Sequence, residues 1–227
     1  MRKMKSVFNK KPNGKTILVL AECQQGALKA GRYAIKHLYD NQTRIILLQT
    51  YKAPKFGLSM VRNLPSILKD ISKEDLTILK NTLIKEFGVP SKNIVKLAME
   101  GDLTTIAQQD FKNCDNLSVV IGTDCTPLYS KNPYKRITSF MTITDIRPIF
   151  LIDDIITCID HSKILVISEK ADNMPEKLND FINKISERET IPVEYLAGEY
   201  KNNAASSEGG TCDFSNEIWQ LRFERSR

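Results

Sequence analysis

Thr16-Ile17-Leu18-Val19-Leu20-Ala21 is a continuous apolar run, rich in branched side chains, that follows Asn13-Gly14-Lys15. A short run of this kind has no polar face to turn to water, so it reads as a strand covered on both sides in a parallel sheet. Working outward, Leu28, Ala34, Ile35 and Leu38 recur at helical spacing between Gln25 and Tyr39, and Asp40-Asn41 ends the pattern. Arg44 to Thr50, with Ile45-Ile46-Leu47-Leu48 at its centre, then reads as a second buried strand. Strand, helix and strand in this order form a crossover unit, which sets the class as α/β.

The alternation continues. Tyr51 to Pro65 contains Pro54, Gly57 and Pro65 and reads as a long connection, a candidate lid or binding loop. Ser72 and Asp75 form an approximate capping pair ahead of the stripe Leu76, Leu79, Leu83 and Phe87, with a separate turn of helix before Ser72, and Gly88 with Pro90 closes the helix. A third strand is expected over Asn93 to Ala98, a third helix over Leu103 to Phe111, and a fourth strand over Leu117 to Ile121. A helical stretch near Ile137 to Thr144 and a fifth strand over Ile149-Phe150-Leu151-Ile152 complete five strands and four helices.

Length and composition restrict the function classes. The chain has 227 residues, of which 41% are hydrophobic and 26% charged, values of a folding globular protein with room for one ordinary domain and an extra piece. Of its 33 basic residues, six lie in residues 1–15, leaving 27 against 27 acidic residues elsewhere. The net charge of +6 therefore sits in a basic N-terminal segment, read as a flexible tail, and a nucleic-acid partner is not expected. No apolar run is long enough to span a bilayer, and no secretory signal is recognised, so a cytoplasmic location is expected. The five cysteines (Cys23, Cys114, Cys125, Cys158 and Cys212) are odd in number and widely spaced, which suggests free thiols and no zinc site. No nucleophile elbow, P-loop or paired-carboxylate arrangement is present, so no catalytic residue and no enzyme is expected.

Four junctions in order give the chain a resemblance to the universal stress protein family, extending from Lys15 to Asp153. The opening strand ends in Ala21-Glu22; Glu100-Gly101-Asp102 precedes Ile106; Val119-Val120-Ile121-Gly122-Thr123 ends the fourth strand; and Arg147-Pro148-Ile149-Phe150-Leu151 forms the fifth. The resemblance implies an open, Rossmann-like sheet of five parallel strands in the order 3-2-1-4-5 with helices on both faces. Ligands are received beyond the carboxyl ends of the first and fourth strands, where the winding reverses. In ATP-binding members the acid after the first strand meets the adenine, which places Glu22 there. A phosphate loop patterned as Gly, two residues, Gly, nine residues, Gly and Ser or Thr follows the fourth strand.

On this sequence the loop pattern begins at Gly122-Thr123, meets Cys125 in place of the second Gly, and meets Lys135-Arg136 in place of the final Gly and Ser. The missing glycines deny the backbone its close approach to phosphate, and Pro127 and Pro133 each lack a backbone donor. The expectation is therefore a stress-response or regulatory module with no confident cofactor. The alternative is an adenine-nucleotide sensor with a degenerate ATP site built from Glu22, Gly122, Thr123, Cys125, Lys135 and Arg136, the last two supplying charge in place of backbone donors.

Beyond residues 154–162, read as a linker, Lys163-Ile164-Leu165-Val166-Ile167, a helix over Leu178 to Ile185 and Val193-Glu194-Tyr195-Leu196 resemble the start of a second copy. This partial β-α-β unit occupies residues 163–200, and residues 201–227 read as a flexible tail carrying Trp219, Leu221 and Phe223. Because the fifth strand of family members commonly pairs with another fifth strand, the edge Ile149, Phe150, Leu151 and Ile152 is expected to pair two subunits in a homodimer.

Overall fold

The computed structural model describes residues 14–21, 24–52, 63–106, 116–122, 137–138, 141, 148–152, 155–168 and 174–197. The basic segment 1–13 and the tail 198–227 lie outside them. Eight strands form one sheet: β1 (Thr16–Leu20), β2 (Arg44–Tyr51), β3 (Ile94–Glu100), β4 (Leu117–Gly122), β5 (Ile149–Ile152), β6 (Ile156–Ile159), β7 (Ile164–Ser168) and β8 (Val193–Ala197), in the order β3-β2-β1-β4-β5-β6-β7-β8. The first five pair in parallel, as expected, and β1 lies between β2 and β4, with Leu20 opposite both Leu48 and Ile121.

The described helices are α1 (Gln24–Tyr33), α2 (Leu64–Phe87), α3 (Leu103–Ile106) and α4 (Glu176–Glu189). Strand alternation sends side chains to two apolar layers. Ile17, Val19, Ile45 and Leu47 meet Ala30 of α1, Ala34 just beyond it, and Leu76 and Leu83 of α2. Leu18, Leu48, Ile149 and Val166 lie in the opposite layer with Leu103, Ile137, Met141, Phe181 and Ile182. Helical residues therefore cover both faces, as the α/β reading requires.

Two local expectations are corrected, at Ser72 and at Pro65. Ser72 does not begin a helix: α2 starts at Leu64, with Pro65 in its first turn, and Ser72 is buried in its interior. Proline fits a first turn because the N–H it lacks has no intrahelical acceptor there, so Pro65 starts the helix where it was read as ending a loop. Asn63 before it and Gly88 after it both take left-handed backbone angles, and the Gly88 N–H donates to the Ile84 carbonyl at 2.8 Å. The first helix, in turn, continues beyond α1 as a π-helical turn over Ala34–Leu38, which brings Ala34, Ile35 and Leu38 into the core.

The largest corrections concern β6. Residues 154–162 are not simply a linker, because Ile156–Ile159 forms a strand antiparallel to β5, in register Ile149↔Ile159 and Ile152↔Ile156. The β5 edge expected to pair two subunits is thereby filled by the same chain. β7 then pairs antiparallel to β6, and β8 pairs parallel to β7 across α4. The second β-α-β unit is present, but it extends the first sheet. Its opening strand β7 has β6 on the flank where a doubly wound sheet would place a parallel fourth strand, so among the described residues the winding reverses only between β1 and β4.

Candidate functional site

The carboxyl ends of β1 and β4 lie side by side, and three residues separate β1 from α1. The Ala21 N–H donates to the Leu48 carbonyl at 2.7 Å, holding the exit of β1 against β2. Gly122, the last residue of β4, is buried beneath the first turn of α1. A Cβ added at Gly122 would fall on the Gly26 carbonyl and 2.6 Å from the Gly26 Cα. The glycine is thus required by close backbone approach between β4 and α1. Gly31 serves the next turn similarly, since its Cβ would lie 2.7 Å from Leu83 Cδ1 of α2.

Of the residues read as a degenerate nucleotide site, Gly122 alone falls among those described. Glu22, Thr123, Cys125, Lys135 and Arg136 lie outside them, as do residues 53–62 of the candidate lid. Gly26 was missed by the sequence reading, although a glycine in a helical first turn directly after a strand is a recognisable sign of close packing. Cys158 is buried on β6 and is in no disulfide.

A second group of polar residues surrounds the ends of β2 and β3. The Gly101 N–H donates to the Tyr51 carbonyl at 2.9 Å, with Gly101 at φ 133°, and Lys52 Nζ lies 3.3 Å from Asp102 Oδ2. Gln49 and Tyr51 share the strand face of Ile45 and Leu47, toward α2. The Gln49 amide donates to Asp75 Oδ2 at 3.4 Å, while its Oε1 is buried without a protein partner. Farther along this face Lys80 Nζ donates to the Ser91 and Ile94 carbonyls, and burial and the nearby Lys96 lower its pKa.

Burial pushes the Tyr51 phenol above its usual pKa of 10.0, and Glu100 and Asp70 push it further. The phenolate would lose hydration and face two carboxylates. The unfolded chain releases this proton first, so the contribution of Tyr51 to stability is complete below about pH 10 and is lost as pH rises through its folded value. Urea unfolding followed across the alkaline range should show a decline that Tyr51→Phe reduces. An unchanged profile in that variant would assign the decline to other groups.

No family model and no curated protein matches the chain. Solved structures that resemble it include a universal stress protein in complex with cAMP, at 14% identity and TM-score 0.41, covering 61% of this chain and 97% of that one; universal stress protein UspA from Lactobacillus plantarum, at 12% and 0.42, covering 61% and 97%; and a universal stress protein family member from Burkholderia pseudomallei, at 14% and 0.41, covering 61% and 95%. No helix among the described residues is long and apolar enough to cross a membrane, and they contain no cluster of metal-ligating side chains.

Proposed function

We propose that the chain is a universal stress protein-like regulatory module that acts through contacts with other proteins and without conventional ATP binding or catalysis. The observation that carries this reading is the contact between Gly122 and Gly26. Gly122 is the only glycine of the phosphate-loop pattern kept in the sequence, and backbone packing accounts for it without a phosphate. Cys125 and Lys135-Arg136 occupy the other glycine positions, so no residue of the pattern requires a nucleotide.

The alternative, an adenine-nucleotide sensor, draws support from the single winding reversal at β1 and β4, the place where open α/β sheets receive ligands. Native mass spectrometry with and without ATP and magnesium separates the two. The expected spectrum carries no nucleotide adduct. A stoichiometric adduct that disappears on joint Lys135→Ala and Arg136→Ala substitution would overturn the reading in favour of a sensor with side-chain charge in place of the missing backbone donors. Gly122→Val is unsuited to this test, because its side chain would displace α1 whether or not a nucleotide binds.

A further inference from the structure

β8 is the outermost strand of the sheet and, among the described residues, is paired on one flank only. The Ile164 N–H donates to the Pro192 carbonyl at 2.9 Å, which sets the phase of the β7–β8 ladder. In a parallel ladder, alternate residues of a strand bond to the same neighbour. Glu194 and Leu196 therefore turn their peptide groups toward β7, and Val193, Tyr195 and Ala197 turn theirs outward. The Tyr195 side chain is 54% exposed. Lys163 holds Glu194 Oε2 at 2.6 Å, so the carboxylate that could guard this edge is engaged with β7. Among the described residues no strand covers this flank, and an open edge of this kind is a template for another strand.

The chain contains a segment of matching chemistry. In residues 218–224, Trp219, Leu221 and Phe223 alternate with Gln220, Arg222 and Glu224, the period-two pattern of a strand with one apolar face. Twenty residues separate Ala197 from Ile218. A linker of that length spans roughly 25 Å on average, against roughly 17 Å for the length of a five-residue strand, so the segment reaches either end of β8. Tethering supplies it at an effective concentration on the order of millimolar, an advantage that a second copy of the chain lacks.

We propose that residues 218–224 pair with the outer flank of β8 as a ninth strand, laying their apolar side beside Val193 and Tyr195. Cross-strand aromatic contact and the outward peptide groups of β8 supply the recognition. Trp219 is the only tryptophan, so its fluorescence in the full chain reports the pairing directly. The expected result is blue-shifted emission, protected from acrylamide several-fold, and independent of dilution.

Tyr195→Pro removes an outward donor without touching a β7 hydrogen bond, and Leu221→Pro breaks the partner segment without altering the described sheet. Both should expose Trp219, while Tyr195→Phe keeps it protected. Exposed emission in the unaltered chain would overturn the proposal, as would protection that survives both proline variants. Protection that fades on dilution would also overturn it, assigning the edge to a second copy.

Discussion

Gly122→Ala is expected to lower the unfolding free energy by about 3 kcal/mol, near the upper end of overpacking effects, read as a fall in the urea midpoint at unchanged slope. The size follows from what the added methyl meets. At Gly31 a new Cβ would press on Leu83 Cδ1, the end of a side chain that can rotate away, whereas at Gly122 it meets the Gly26 carbonyl, carbon and Cα. Backbone at the start of a packed helix can yield only by moving α1 off β4, which opens the layer around Val120, Ala30 and Phe150. Gly31→Ala should therefore cost much less than Gly122→Ala. Equal and small losses at both positions would show that α1 is free to shift, and would return the requirement for Gly122 to a ligand.

The strands easiest to recognise were those whose neighbours in sequence are helices. Ile17 to Leu20, Ile45 to Leu48 and Val119 to Ile121 are apolar on both faces because both faces are covered, and that pattern is visible without coordinates. β6 was hidden by its context. Ile155-Ile156-Thr157-Cys158-Ile159 is apolar but for Thr157, yet it follows after only two acidic residues, where a parallel sheet would require a crossover helix. An antiparallel return needs no helix, and only three residues separate the paired Ile152 and Ile156. The family resemblance, which ended at β5, drew attention from that signal.

Ser72 misled for a related reason: a serine ahead of an apolar stripe signals a helix start, but burial against the sheet also accommodates a serine in mid-helix. At the candidate site the sequence singled out Gly122 through the phosphate-loop pattern, and the structure adds a second reason for a glycine there, its close approach to Gly26. A phosphate loop and a close backbone contact both require glycine, and the difference lies in Gly26, which the loop pattern does not include.

Ile159→Ala should test whether the sheet unfolds as one body or two, and its expected cost is about 3 kcal/mol. Ile159 is fully buried, stands opposite Ile149 on β5 and Ile164 on β7, and belongs to the apolar layer that also contains Phe181 and Ile182 of α4. The cavity left by its side chain would lie at the join between the first five strands and the β7-α4-β8 unit. If that join is part of one cooperative core, slow-exchanging amides of β1 and of β7 should lose protection by the same factor, and urea unfolding should remain a single transition. Loss confined to β6, β7, α4 and β8, with β1 unchanged, would mean that the second unit opens independently, and that hydrogen bonding across β5 and β6 joins two folding units without coupling them. The continuous ladder and the apolar layer running beneath it favour the first outcome, because opening β6 would expose Ile149, Phe150 and Leu151 as well as its own side chains. β6 thus has two roles in the sheet: it covers the edge of the first five strands and anchors the unit that follows.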